Sequence, residues 1–351
     1  MIDRFELAPG YTISRLINGL WQLATDHQPR AVDRKKAVRD LSRLVEAGLT
    51  TFDCADIYLG VEDLLGELLQ AYRVAGGRLA DIQIHTKFVP DRSHLATITQ
   101  QDVEKSIDRS LSRLGVERLD LVQFHWWSYE VLRYIEVAGW LADLQQAGKI
   151  RLLGTTNLDV PRMRELLDTG LDLVAHQAQY SLLDHRPEAG LVELCREHGI
   201  GLLCYGAIAG GFLSDRYLGR GEPMAPLANR SLTKYKLIIA EFGGWELFQD
   251  LLKILAEVAQ RHGANPGNVA VRWVLERPQV AAVIVGGRTA AHLDENLRVF
   301  EFSLDAEDHS RLEAPLSLAL GPVGEPFGLE RVPGGPHAAI LKTDLHRIGD
   351  S

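Results

Sequence analysis

Short apolar runs alternate with amphipathic stretches along most of the chain. Each run is four to eight residues long, which is the length of a buried strand. In the intervening stretches apolar residues recur every three to four positions, as at Val103, Ile107 and Leu114, and this spacing indicates helices with one buried face. The predicted strands are, in chain order, 13–20, 50–54, 82–87, 119–125, 150–154, 173–177, 200–204 and 281–285.

Regular alternation of strand and helix predicts parallel strands joined by helical crossovers. Eight such units favour a closed (β/α)8 barrel over an open doubly wound sheet. No Gly-x-Gly-x-x-Gly follows the first strand, which also argues against the open dinucleotide-binding sheet. The predicted helices are 61–72, 101–114, 130–147, 160–167, 187–198, 247–262, 266–276 and 290–300.

The length of the chain exceeds what a barrel needs. The 351 residues are predicted to divide into a barrel domain, 1–315, and an irregular extension, 316–351, that packs on or near it. The segment 214–244 forms a long insertion after the seventh strand. It contains several basic residues, so it either folds over a ligand or is a solvated loop.

Composition narrows the possible partners. A hydrophobic fraction of 46% predicts a folded protein, and 38 basic against 47 acidic residues give a net charge of −9, which argues against nucleic acid and anionic membranes as partners. No apolar run reaches the roughly 18–20 residues that a membrane span requires. The cysteines, Cys54, Cys195 and Cys204, have neither disulfide nor metal spacing, so we expect a cytoplasmic protein.

Ionisable residues end three successive strands of the predicted barrel. Asp53, Lys87 and His125 take these positions, and Tyr58 follows Asp53 by five residues. Taken singly, each of these residues has a structural explanation, such as capping a helix, facing solvent at a strand end or packing in the interior. Because the carboxyl ends of barrel strands meet at one rim, the four together predict an active site.

This set of side chains suits the reduction of a carbonyl group. A tyrosine with a pKa of about 10 donates a proton poorly near neutrality, and a nearby ammonium lowers that pKa. A carboxylate orients the ammonium, and a histidine can hydrogen-bond the carbonyl oxygen. No side chain supplies hydride, so a nicotinamide or flavin cofactor is implied. One histidine, a lysine and a tyrosine do not form a zinc site, so no metal is expected.

The same segments carry a resemblance to a known family. Residues 51–58, Thr-Phe-Asp-Cys-Ala-Asp-Ile-Tyr, resemble the aldo-keto reductase signature, and 84–87 and 119–126 are similar to its lysine and histidine segments. The resemblance spans about 13–300. It implies a barrel that binds NAD(P)(H), and these catalytic roles: Tyr58 as general acid/base, Lys87 tuning Tyr58, Asp53 pairing with Lys87, and His125 orienting the carbonyl.

The resemblance extends to cofactor-binding segments. Thr156, Asn157 and Gln177 match the contacts of the nicotinamide carboxamide, and Tyr205 matches the aromatic that stacks on the ring, although these residue types also serve as turn residues and packing aromatics. The residues that match the pyrophosphate loop are Gly206, Ala207, Ala209 and Gly210. Those that match the adenosine-phosphate segment are Gly286, Gly287, Arg288, His292, Glu295 and Asn296.

One departure from the family pattern affects cofactor preference. Gly286 and His292 stand where many NADPH-preferring members have basic residues, which leaves Arg288 as the fixed positive charge of the segment. An arginine can bind a 2′-phosphate or stack on adenine. We therefore favour NADP(H), with NAD(H) as the alternative.

Aromatic residues after the first and fourth strands are expected at the mouth of the pocket. They are Trp21, Trp126 and Trp127, although any one of them could instead be a packing residue. The predicted function is interconversion of an aldehyde, ketone or aldose with an alcohol. The alternative is a regulatory or partner subunit that binds cofactor and turns over slowly. Either would act on a small molecule, as a monomer or a small homo-oligomer.

Overall fold

Eight parallel strands close into a barrel at the centre of the protein, each hydrogen-bonded to its neighbours in the order β10-β3-β4-β5-β6-β7-β8-β9. The computed structural model describes residues 2–25 and 32–346. An antiparallel hairpin, β1–β2, precedes the barrel. The strands are β1 Arg4–Ala8, β2 Tyr11–Ser14, β3 Leu16–Gly19, β4 Thr51–Asp53, β5 Gln83–Phe88, β6 Leu119–Phe124, β7 Ile150–Thr156, β8 Leu173–Gln179, β9 Gly201–Tyr205 and β10 Val280–Gly286.

Helices separate the strands and form the outer layer, so the (β/α)8 barrel expected from the sequence is confirmed. Local signals fix several of their ends. Thr99 and Asp102 form a capping box that begins α3, and Gly115 ends it in a left-handed conformation, with φ +65°. The helices are α1 Arg34–Glu46, α2 Val61–Val74, α3 Gln100–Leu114, α4 Tyr134–Gln146, α5 Val160–Asp168, α6 Leu191–Glu197, α7 Arg230–Phe242, α8 Trp245–Arg261, α9 Pro266–Leu275, α10 Leu293–Leu297, α11 Ala306–Leu316 and α12 Pro336–Ala339.

The first predicted strand, 13–20, is wrong as a single element. Its first residues belong to β2 of the hairpin, and only Leu16–Gly19 enters the barrel. Arg15 lies between the two strands, and its guanidinium donates to the carbonyls of Leu275, Val280 and Ala281. The chain therefore passes from the hairpin to the barrel at Arg15, within the segment predicted as one strand.

Three predicted helices also differ from the observed ones. The segment 187–198 becomes helical only at Leu191, since Gly190 takes a left-handed φ of +108°. The helix predicted at 130–147 begins at Tyr134. The segment 290–300 is the short helix α10 between two 3-10 turns. In the first case a glycine breaks the helical spacing that the apolar residues would otherwise continue.

The hairpin covers the amino-terminal end of the barrel. Leu7 and Tyr11 are buried against Ile17, Leu121 and Leu203 in an apolar cluster separate from the layer between strands and helices. This end is therefore packed with apolar side chains, whereas the opposite end carries the buried polar residues of the site described below.

The two segments in excess of the barrel both contain helices. The insertion holds α7, and the chain after α11 contains α12 before reaching residue 346. Residues 347–351 lie outside the described part, and the division at residue 315 stays a prediction. Among the described residues, no helix combines the length and the apolar character needed to cross a bilayer.

Two glycines within helices allow a matched test of the packing between helices. A Cβ at Gly66 in α2 would lie 2.3 Å from the carbonyl oxygen of Arg113, at the contact with α3, whereas a Cβ at Gly139 in α4 would meet nothing within 4 Å. We expect Gly66→Ala to lower the free energy of unfolding by roughly 1–3 kcal/mol through overpacking. Gly139→Ala should raise it by roughly 0.5–1 kcal/mol, because alanine favours the helix. Urea unfolding of both variants measures the difference, and two shifts of the same sign would contradict this account of the α2–α3 contact.

Candidate active site

A cavity of about 350 Å³ opens at the carboxyl ends of the strands. Asp53, Tyr58, Lys87 and His125 all line it, so the structure brings together the four residues expected to be catalytic. Asp53 ends β4, Lys87 lies near the end of β5, and His125 directly follows β6. The register pairs Asp53 with His85 and Lys87 with Gln123, so Lys87 and His125 each lie two positions beyond the register partner, at the carboxyl rim of the barrel.

A buried ion pair occupies the floor of the cavity. The ammonium of Lys87 lies 2.8 Å and 2.7 Å from the two carboxylate oxygens of Asp53, and it also donates to the carbonyl of Cys54 at 2.8 Å. The amides of Gln177 and Gln123 donate to Asp53 at 2.7 Å and 3.3 Å. Burial lowers the pKa of Lys87, but the adjacent Asp53 carboxylate outweighs burial and raises it, so the lysine stays charged.

Tyr58 lies above this pair. The Lys87 ammonium is 5.1 Å from the centroid of the Tyr58 ring. Burial raises the pKa of Tyr58 to about 12, although the charge of Lys87 acts in the opposite direction. The effect of Lys87 has the expected sign, but burial is the larger influence, and the phenol therefore remains protonated near neutrality.

His125 is neutral and held on several sides. Its ring packs edge-on against Trp127 at 4.3 Å and Phe327 at 5.5 Å between centroids. Nδ1 lies 3.2 Å from the Thr156 carbonyl oxygen, which can only accept, so this hydrogen bond requires the proton on Nδ1. Burial lowers the pKa of His125 to about 3.

In this neutral ring the lone pair is on Nε2, which is buried and has no hydrogen-bond partner within the described structure. Nε2 of His125 can accept a hydrogen bond from a hydroxyl group. The donor role expected for His125 would need the other tautomer.

Several of the residues expected to bind a cofactor share this cavity. Thr156, Asn157, Gln177 and Tyr205 line it, and the hydroxyl of Thr156 is buried without a hydrogen-bond partner in the described residues. The Tyr205 hydroxyl donates to the Asn157 side-chain oxygen at 2.8 Å. A buried hydroxyl without a partner is costly, so it fits a polar ligand group such as a carboxamide.

The glycine-rich loop after β9 packs its backbone closely against residues of the insertion that also line the cavity. A Cβ at Gly206 would lie 2.8 Å from the Tyr235 hydroxyl, and one at Gly210 would lie 2.9 Å from the Ser231 hydroxyl. Both glycines line the cavity, whereas Ala207 and Ala209 are buried and do not. The side chains of the two alanines do not reach the cavity wall, and the binding role expected of the backbone of this loop stays a prediction.

The expected adenosine-phosphate segment follows β10 and lies outside the cavity wall apart from Gly286. Arg288, His292 and Glu295 are exposed, and Nδ1 of His292 is 2.8 Å from the Glu295 carboxylate. Gly287 is buried, Asn296 is half-buried, and a Cβ at Gly287 would lie 2.9 Å from the Cβ of Asn18. The segment thus forms an open surface continuous with one end of the cavity.

Only two of the three tryptophans expected at the mouth lie in the cavity wall. Trp21 and Trp127 line it, but Trp126 is fully buried beside Phe124, with its indole nitrogen donating to the Val131 carbonyl at 2.9 Å. The expectation for Trp126 is wrong because neighbouring residues in an extended segment point to opposite sides.

Other residues of the cavity wall were not among the predicted site residues, although Arg230 and Lys234 belong to the basic insertion that was expected either to fold over a ligand or to be solvated. The insertion supplies four of them to the cavity wall, and the segment after α11 supplies five. These residues are Arg230, Ser231, Lys234 and Tyr235, and Phe327, Ile340, Leu341, Lys342 and Leu345. Gln123 could have been found, since it lies two positions before His125 in the predicted strand 119–125, and residues two apart in a strand share a face. In the parts of the chain that the structure describes, no cluster of three His, Cys, Asp or Glu side chains could hold a metal ion.

Comparison with protein families identifies this arrangement. The model of the aldo/keto reductase family matches residues 15–316, which include the whole barrel and all four residues predicted to be catalytic. The chain belongs to the aldo/keto reductase family. As a member of it, the protein is an NAD(P)-dependent oxidoreductase.

Individual aldo/keto reductases show how far the similarity extends. The chain is 27% identical over 305 residues to the aldo-keto reductase yakc [NADP(+)] of Schizosaccharomyces pombe, with 84% of this chain and 85% of that one covered. It is 26% identical over 229 residues to the NADH-specific methylglyoxal reductase of Escherichia coli, with 63% and 66% covered. Among solved structures, a thermostable aldo-keto reductase in complex with the inhibitor epalrestat matches with a TM-score of 0.70 and 25% identity, over 90% of this chain and 99% of that one.

The buried histidines of this barrel predict how stability depends on pH. Burial lowers the pKa of His85, His125 and His176 from 6.5 to about 3. Below pH 6.5 the unfolded chain therefore binds protons that the folded chain does not. The stability that these neutral rings contribute is present above pH 6.5 and is lost as the pH falls towards 3.

His85 offers a clean test because neither of its ring nitrogens has a hydrogen-bond partner in the described structure and it does not line the cavity. In wild type, each buried histidine should add about 1.4 kcal/mol per pH unit to the fall in the free energy of unfolding below pH 6.5. His85→Leu should remove one such contribution. Urea unfolding at a series of pH values measures the slopes, and equal slopes for wild type and variant would show that His85 is protonated in the folded state.

Proposed function

We propose that the protein interconverts a carbonyl compound and its alcohol with NAD(P)(H), and that Tyr58 is the general acid/base. The observation that carries the proposal is the position of the Lys87 ammonium. It is fixed by Asp53 and lies 5.1 Å from the Tyr58 ring, in a cavity that His125 also lines. These are the groups needed to move one proton at an oxygen atom while hydride moves at the adjacent carbon.

A nicotinamide cofactor supplies the hydride in this chemistry. The cavity fits such a group, since the Thr156 hydroxyl offers an unpartnered polar contact and Gly206 and Gly210 line the space without side chains. Thr156, Asn157 and Gln177 would hold the carboxamide, Tyr205 would stack on the ring, and the backbone near Gly206 and Gly210 would face the phosphates. In the present structure the Gln177 amide donates to Asp53, so binding a carboxamide would redirect part of this network.

Tyr58 is suited to donate its proton to a carbonyl oxygen. Because its pKa is about 12, the phenol holds that proton at neutral pH. The charge of Lys87 stabilises the phenolate that remains after transfer, and Asp53 keeps the ammonium in place. In the direction of alcohol oxidation, Nε2 of His125 can accept a hydrogen bond from the substrate hydroxyl and so fix its oxygen near Tyr58.

We propose NADP(H) as the preferred cofactor. Arg288 is exposed just beyond Gly286, at the end of the cavity, where its guanidinium can reach a 2′-phosphate. One relative is named for NADP(+) and another for NADH, so the family allows either choice. For the substrate we propose a small carbonyl compound or sugar between Trp21 and Trp127. A cytoplasmic location and a monomeric or small homo-oligomeric state stay predictions.

Replacing Tyr58 tests the acid/base assignment. We expect Tyr58→Phe to lower kcat by about 10²- to 10⁴-fold, because the proton donor is lost, while the dissociation constant of the cofactor stays near that of wild type. The measurement is steady-state turnover of a panel of aldehydes, ketones and aldoses with both cofactors, with cofactor binding followed by fluorescence.

Tyr72→Phe is the matched control, since Tyr72 lies on α2 and its hydroxyl interacts with Asp81, away from the cavity. Turnover by Tyr58→Phe at the wild-type rate would reject the assigned acid/base. A wild-type protein that binds cofactor and reduces no member of the panel would instead favour a regulatory or partner subunit.

Replacing Arg288 tests the cofactor preference. Arg288→Ala should raise the dissociation constant of NADPH by roughly 10- to 100-fold, because a charge-assisted contact with the 2′-phosphate is lost, and should change that of NADH much less. Arg298→Ala removes the same charge from an exposed side chain that donates to the Gly263 carbonyl, and it controls for net charge. Equal effects of Arg288→Ala on the two cofactors would exclude a 2′-phosphate role.

A further inference from the structure

The segment after α11 places one arginine across the ends of two barrel strands. Nη2 of Arg331 donates to the carbonyl oxygen of Trp126 at 2.9 Å and to that of Asn157 at 2.8 Å. Trp126 directly follows His125, and Asn157 directly follows Thr156. A single nitrogen of the guanidinium therefore ties together the backbone beyond β6 and the backbone beyond β7.

The guanidinium is itself held in a fixed orientation. It lies over the ring of Tyr129 at 4.2 Å and over that of Phe327 at 5.0 Å. Phe327 takes a φ of +58°, a conformation rare for a bulky residue, and its ring also packs edge-on against His125. Nη1 also donates to the Phe327 carbonyl at 3.4 Å, so two aromatic faces and three carbonyl groups define the position of the Arg331 side chain.

Arg331 binds the carbonyl of the residue after His125 and the carbonyl of Asn157, and both His125 and Asn157 line the cavity. Asn157 has a φ of +59°, so its peptide groups are held in a left-handed turn rather than in an extended strand. In that turn the Thr156 carbonyl points to Nδ1 of His125, while the Asn157 side chain accepts from Tyr205. The carbonyl of the same turn residue, Asn157, is one of the two that Arg331 binds.

We propose that Arg331 is a positioning residue of the active site, which orients His125 and Asn157 by tying the backbone beyond β6 to the backbone beyond β7. The proposal rests on the proposed function for the roles of His125 and Asn157. Arg331 does not line the cavity, so it acts through these residues rather than on the substrate. A lysine could keep the charge, but it lacks the planar fork that stacks between two rings.

Arg331→Met and Arg331→Lys separate the positive charge of the side chain from its planar, hydrogen-bonding shape. We expect Arg331→Met to lower kcat by about tenfold or more, as for the loss of a charge-assisted hydrogen bond, and Arg331→Lys to recover only part of that loss. Arg133→Met is the matched control. Arg133 also stacks on an aromatic ring, at 5.5 Å from Trp140, and also donates to two backbone carbonyls, those of Ala96 and Ile98, but it lies at the start of α4.

The ring of His125 provides a readout that does not depend on turnover. Arg331 and Lys87 are the charges that lower its pKa in addition to burial, so Arg331→Met should raise that pKa while Arg331→Lys should not. Nitrogen chemical shifts of the ring, measured by NMR, also report whether Nδ1 keeps the proton. We expect a mixture of tautomers in Arg331→Met and the wild-type tautomer in Arg133→Met.

The outcomes distinguish this proposal from the proposed function. Unchanged kcat, ring shifts and pKa of His125 in Arg331→Met would overturn the positioning role. Equal losses of kcat in Arg331→Met and Arg133→Met, with unchanged ring shifts, would also overturn it, because a general loss of stability would then suffice. A wild-type protein without carbonyl reduction would reject the proposed function, while the NMR titration would still decide the role of Arg331.

Discussion

A buried ammonium–carboxylate pair governs the layout of the barrel. Two opposite charges inside a protein are tolerated only when their remaining hydrogen-bonding groups are satisfied, and removal of one partner is strongly destabilising. Lys87 and Asp53 meet this condition with the Cys54 carbonyl and the amides of Gln123 and Gln177, which come from three different strands or strand ends. The polar half of the barrel is therefore built around the pair, and the cavity lies directly above it.

The sequence was informative where a property depends on local periodicity. The strand ends at Asp53, Lys87 and His125 follow from the alternation of apolar strands and helices. Side chains alternate between the two faces of a strand, so the position of Gln123, two residues before His125, also follows from the sequence. Trp126 and Trp127 were both expected at the mouth of the pocket, but they point to opposite sides: Trp126 is buried and Trp127 lines the cavity. The direction in which the pKa of Tyr58 shifts could not be predicted from the sequence. Burial raises it, and the burial of Tyr58 depends on residues that come together only in the fold.

Residues that reach the site from distant parts of the chain could not be predicted from the sequence. Arg331 and Phe327 lie in a segment without helical or strand periodicity, and they reach His125 from about two hundred positions further along the chain, which no local pattern reveals. The hairpin and the insertion helix α7 were missed for the same reason, since short or irregularly patterned elements are stabilised by what they pack against. A family resemblance supplied the catalytic roles, but it did not indicate which additional residues hold the site together.

The amino-terminal hairpin has a consequence for kinetics. Leu7 and Tyr11 fill one end of the barrel, and no residue of the hairpin lines the cavity, which opens at the other end. Thr156 and Gln177 lie deep in that space, whereas Trp21 and Trp127 border its mouth. If the cofactor binds Thr156 and Gln177 as proposed, it would bind before a substrate held at the mouth and leave after it.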